Sequence, residues 1–203
     1  LLDTKLNIVS FNVLSRNFSQ LQMILKKLNL SKEEIKILVK KEIKRFNQIV
    51  GPELVQYFKL ILPNTIIFLQ EVNENFLALL KIHFKSNQIF YTNERDYTIQ
   101  THKNKTSNNY NDDHRVILLP EILFDKKIST KEIQIVTTFA SKSILIVSVQ
   151  LENKLLVLIN LHLHWKMTYN ELEMCAEKIP GSPVYILSKA AQVSHFVFPK
   201  KNF

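Results

Sequence analysis

Three stretches of the chain bring side chains able to do chemistry to the ends of apolar runs: SFNVL at residues 10–14, IIFLQEV at 66–72 and INLHL at 159–163. Glu71 is an anionic oxygen donor, Asn12 an amide and His162 an imidazole. A carboxylate closing a strand built for a core is expensive to bury unless it is paired, hydrogen-bonded or bound to a cation. Each residue also has a plainer reading. Glu71 can mark where the strand leaves the core, Asn12 can be a turn amide, and His162 can be a satisfied core histidine. His164 projects to the same sheet face as His162, a pair that suits a transition metal only with a third ligand, and none is evident.

The elements that position these groups follow from periodicity. LNIVSFNVL (6–14) mixes β-branched and aromatic residues and reads as a first strand. Ser31 and Glu34 form a capping-box pattern ahead of Ile35, Leu38, Val39, Ile43, Phe46 and Ile49 at helical spacing, with Lys36, Lys40, Lys41, Lys44 and Arg45 on a solvated face. Gly51-Pro52 is expected to break this helix, and a second follows with Leu54, Phe58 and Ile61 inward. After IIFLQEV come a helix from Glu74 to about Phe84 and a strand around QIFYTNE. Residues 98–114 lack periodicity and read as an exposed loop, with Asp112, Asp113 and His114 solvated. RVILLP, KEIQIVTTF, SILIVSVQL and KLLVLINLHLHW are strands, the last two joined by a hairpin turn at Glu152-Asn153. TYNELEMCAEKI reads as a short helix and SPVYIL as a final strand. The pattern predicts one α/β domain with mixed sheets and helices outside.

Composition narrows the classes. The chain has 203 residues, 46% hydrophobic with 13 Phe, enough for a packed core. Only Gly51 and Gly181 are present, which excludes glycine-rich phosphate loops. The single cysteine, Cys175, rules out an internal disulfide and multi-cysteine zinc sites, and fits a reducing, intracellular setting. No apolar run reaches the roughly 18 residues of a spanning helix. Lys and Arg outnumber Asp and Glu by 27 to 18, a net charge of +9 that favours acidic partners such as nucleic acid, phosphorylated small molecules or anionic surfaces.

In type, order and rough spacing, SFNVL, IIFLQEV and INLHLHW resemble the endonuclease/exonuclease/phosphatase superfamily related to DNase I. The resemblance covers residues 6 to about 187. It implies a four-layer α/β-sandwich with mixed, largely antiparallel sheets, in which Mg²⁺ or Mn²⁺ helps water attack a phosphate ester. Carried over, Glu71 looks like the metal ligand, Asn12 like the amide near the metal, and His162 like the imidazole contacting the scissile phosphate. The chemistry agrees, because Mg²⁺ takes oxygen ligands and keeps several waters, so one or two carboxylates suffice. Arg95, Tyr97 and Arg115 lie where the family often contacts phosphate or substrate.

The pattern then departs from the family. Where an apolar strand should run into Gly-Asp-x-Asn, the chain has Ser188-Lys189-Ala190-Ala191-Gln192; where Ser-Asp-His should follow, Ser194-His195 lacks the acid. The expectation is a domain over residues 1–187, incomplete at its C-terminus, and a divergent tail over 188–203. The implied function is metal-dependent hydrolysis of nucleic acid or another phosphoester, with an inert nucleic-acid- or protein-binding relic and a phosphatase of phosphoinositides or small phosphoesters as alternatives.

Overall fold

The computed structural model describes residues 5–13, 25, 28, 30–93, 96–102, 105–111, 114–136, 140–152, 154–162 and 185–189. They form two sheets with helices against one of them. The first sheet has the order β1 (Asn7–Asn12), β2 (Thr65–Val72), β6 (His114–Leu118), β3 (Ile89–Tyr91). The second runs β10 (Tyr185–Lys189), β9 (Lys154–Leu161), β8 (Ala140–Leu151), β4 (Asp96–His102), β5 (Lys105–Asn111), with β7 (Ile128–Val136) also paired to β8.

β2 is buried along its whole length because both of its faces are covered, which is why its sequence is a near-continuous apolar run. Ile66 and Phe68 join Ile117, Leu145, Val147 and Leu158 in a core between the sheets. Ile67 and Leu69 face the opposite way, onto Val55 and Phe58 of α2 (Gly51–Ile61) and Phe76, Leu77 and Leu80 of α3 (Glu74–His83). On the far side of the second sheet Ile144, Ile146, Val157 and Ile159 are buried in a third cluster. The described residues thus give three layers. The helix expected at TYNELEMCAEKI lies outside them.

β1 and β2 are parallel neighbours, so the chain between them must cross over, and it does so through the helices. α1 (Lys32–Arg45) opens on the expected capping box: Ser31 Oγ accepts from Glu34 N, and the Glu34 carboxylate accepts from Ser31 N at 2.8 Å. Ile35, Val39 and Phe46 are buried, whereas Leu38 and Ile49 are exposed. Gly51-Pro52 does not break the helix. A π turn over Phe46–Val50, closed by Gly51 N–H to Phe46 O, carries the chain straight into α2. Pro52 falls in the first turn of α2, where its missing N–H costs little. The glycine also lets α3 approach closely, since a Cβ on Gly51 would sit 3.3 Å from the Phe76 ring.

The expected loop at 98–114 is instead a polar hairpin, β4 against β5, paired without interruption from Asp96↔Asn111 to His102↔Lys105. Backbone pairing builds this ribbon, so hydrophobic periodicity does not report it. Its anchor is the start of β8, through Tyr97↔Ser141 and Thr98↔Ala140, because a lone two-stranded hairpin is marginal in water. His114, expected in solvent, begins β6 and is buried. The β8–β9 hairpin turns where expected, with Glu152 at φ 41°.

Hydrogen bonds from Ser31 hold the Glu34 carboxyl below the usual carboxylate range. A depressed folded-state value means this cap stabilises above the unfolded pKa and is lost as pH falls through the folded one. Ser31→Ala should therefore lower the urea midpoint at neutral pH, and the deficit should shrink once the pH falls below the carboxylate range.

Candidate active site

Strand alternation brings the site together. In β1, Val9 and Phe11 pack on the helix-side core, so Ser10 and Asn12 face the second sheet. In β9, Leu156 and Leu158 enter the inter-sheet core, so Asn160, and His162 just past the strand, face the first sheet. The parallel register sets Asn12 beside Gln70.

Glu71 breaks the alternation. Leu69 pairs with Val116 and Val72 with His114, so three steps along β2 match two along β6: a β-bulge. Glu71 holds φ 55°, a left-handed conformation that costs a residue other than glycine about 1–2 kcal/mol. The extra residue returns Val72 to the helix-side core, alongside Leu69. It also lets both Gln70 and Glu71 reach groups on the inter-sheet side. Glu71 Oε1 accepts from Asn12 Nδ2 at 3.1 Å and lies 3.4 Å from His162 Nε2. Glu71 is 0% exposed and His162 4%. The three residues singled out by sequence thus meet, from β1, β2 and β9, at one end of the inter-sheet layer.

Beneath them lies a network that the residue types alone did not single out. Gln70 Nε2 donates to Ser10 Oγ at 3.1 Å and to Asn160 Oδ1 at 2.8 Å. The available signal was Asn160 itself, an amide at a core-facing position of an apolar strand. Arg115, alternating with Ile117, is fully buried, and its backbone N–H donates to Thr92 Oγ1 at 3.1 Å. Its neighbour His114 turns elsewhere: Nδ1 donates to Thr92 O at 2.7 Å and Nε2 lies 3.0 Å from Glu74 Oε1. Arg95, Asp112, Asp113, His164 and His195 fall outside the described residues, and Tyr97 lies on β4.

β10 runs parallel to β9 and ends at the same sheet edge, with Ser188 beside Asn160 and Lys189 beside Leu161. It occupies the expected place of the final strand, shifted a few residues towards the C-terminus from SPVYIL.

One carboxylate and a neighbouring amide form an oxygen donor set that suits a hard cation keeping most of its waters. Among the described residues no group of three or more His, Cys, Asp or Glu is placed to hold a metal. The described helices include none long and apolar enough to cross a membrane.

The left-handed backbone at Glu71 has a direct test. In an ordinary strand alanine is more stable than glycine. Here Glu71→Gly should be more stable than Glu71→Ala, by about 1 kcal/mol, in urea denaturation.

No protein-family model matches the sequence, and no curated protein matches it. Among solved structures, the chain is similar to a humanized D. rerio TDP2 carrying 14 mutations (17% identity, TM-score 0.50, covering 95% of this chain and 70% of that one). It is also similar to D. rerio TDP2 complexed with single strand DNA product (16% identity, TM-score 0.50, 95% and 64%). An endonuclease/exonuclease/phosphatase family protein from Leptotrichia buccalis matches at 12% identity and TM-score 0.46, over 90% of this chain and 66% of that one. The chain therefore spans about two thirds of the length of these structures. Two facing sheets, helices on the outer face of the first, and similarity to TDP2 over nearly the whole chain establish a DNase I-like α/β fold.

Proposed function

We propose that the chain is a divalent-metal-dependent phosphoester hydrolase acting on nucleic acid. The observation that carries this reading is the convergence of Asn12, Glu71 and His162 from three strands onto one buried carboxylate. Glu71, with the Asn12 amide beside it, would hold Mg²⁺ or Mn²⁺. When bound, the cation supplies polarisation of a phosphoryl oxygen and orientation of water. Asn12 fixes the carboxylate by donating to Oε1, as outer partners of metal ligands do. His162 sets an imidazole next to that carboxylate, where it can donate a hydrogen bond to a phosphate oxygen or carry a proton. The net charge of +9 favours a polyanionic substrate, since cationic side chains bind backbone phosphates without regard to sequence. A similar fold in complex with a single-stranded DNA product supports the same substrate class.

One observation favours a second reading, a protein that binds nucleic acid without cleaving it. In the register of β10 against β9, Ser188 and Lys189 stand beside Asn160 and Leu161, at the end of the strand after which the resemblance implies an acid and an amide that activate water.

A single-stranded oligonucleotide assay separates the two. Hydrolysis should require Mg²⁺ or Mn²⁺ and be abolished in Glu71→Gln. Asn12→Ala should lower it about 10–100-fold, and His162→Ala about 10²–10⁴-fold. Undiminished turnover by Glu71→Gln would sink the assignment of the metal site to Glu71. Salt-sensitive binding with no cleavage by the parent chain would establish the second reading.

A further inference from the structure

We propose that Asn160 is a positioning residue for the Glu71 carboxylate: its carboxamide holds open the β2 bulge that turns Glu71 toward Asn12 and His162. As a statement about metal binding, this rests on the function proposed above; as a statement about the backbone, it stands alone.

The bulge begins at the Leu69↔Val116 pair. Asn160, from the opposite sheet, donates Nδ2 to Leu69 O at 2.9 Å and to Val116 O at 2.8 Å. One side-chain amide thus serves carbonyls on both strands that flank the irregular step. Its Oδ1 accepts from Gln70 Nε2 at 2.8 Å, which ties the residue immediately before Glu71 to the second sheet. Asn160 has no exposed surface, and each polar atom of its carboxamide is used in these three bonds. A buried amide satisfied in this way is specific to one backbone arrangement, because any shift of β2 or β6 leaves it unsatisfied.

The competing arrangement is a regular strand. Unbroken alternation from Ile67 and Leu69 would send Glu71 to the helix-side core and Val72 to the inter-sheet layer. In that arrangement the carboxylate would leave Asn12 and His162. Asn160 acts where the bulge departs from the regular ladder: it bonds the carbonyls of Leu69 and Val116, the last pair in regular register, and holds Gln70, the first residue of the irregular step, while the left-handed conformation at Glu71 is one that a regular strand would not require.

The test uses the full chain and two independent readouts. The first is a stability cycle. The preference for Gly over Ala at position 71, expected in the parent chain, should vanish or reverse in an Asn160→Ala background, because the bulge is no longer enforced. Persistence of the full preference overturns the proposal. If Asn160→Ala does not fold, Asn160→Ser carries the same comparison. The second readout is Mg²⁺ affinity by calorimetry. Asn160→Ala should weaken it about 10–100-fold, whereas Val147→Ala, a cavity variant in the same inter-sheet core, should leave it unchanged at an equal or larger drop in thermal midpoint. Equal weakening in both variants would reduce Asn160 to a packing role. A parent chain that binds no Mg²⁺ refutes the proposed metal site alone, and the stability cycle still decides the role of Asn160.

Discussion

The amide of Asn160 and the carboxylate of Glu71 are two ends of one constraint, a polar seam running through the layer between the sheets. Around it that layer is aliphatic and aromatic, with Ile66, Phe68, Ile117, Leu145, Val147 and Leu158 interlocking across the gap. Such a core tolerates sliding better than a hydrogen-bonded network does, because hydrophobic contact is non-directional. The seam removes that freedom. Once Asn160 has bonded Leu69, Val116 and Gln70, the two sheets have one relative register at the end where the candidate site lies.

Strain and burial are concentrated at the same place. Glu71 combines a left-handed backbone with a fully buried carboxylate, two features that each oppose folding. Local rules broken together at one residue are what the proposed role of Glu71 as a metal ligand leads one to expect. The surrounding strands are conventional by comparison: β1 and β2 pair in uninterrupted parallel register as far as Gln70, and β8 and β9 pair continuously from Ile144 to Leu151.

Much of this was legible in the sequence. Glu71, Asn12 and His162 were recognisable because each ends an apolar run, and alternation in SFNVL and INLHL assigns the faces of Asn12 and His162, whereas alternation in IIFLQEV would put Glu71 on the wrong face. The bulge was not legible. IIFLQEV reads as an unbroken strand, and its irregularity arises from the pairing with β6 and the amide of Asn160, residues distant along the chain. The β4–β5 hairpin was missed for a related reason, since backbone pairing leaves no mark in a polar sequence. His114 looked solvated in its polar context, but the strand it begins and its contacts with Thr92 and Glu74 bury it.

The π turn between α1 and α2 has a consequence for how one rod serves two cores. An α-helix advances about 100° per residue, so one extra residue in a turn shifts the phase of everything after it. Ile35 and Val39 of α1 pack with Leu25, whereas Val55 and Phe58 of α2 pack over β2, in a separate cluster. The inserted residue is thus a phase offset, letting a nearly continuous helix present differently directed apolar stripes on either side of Phe46–Val50. Deleting one residue there would restore α-helical periodicity while misdirecting one stripe, so the length of this segment is as much a part of the fold's specification as its residue types.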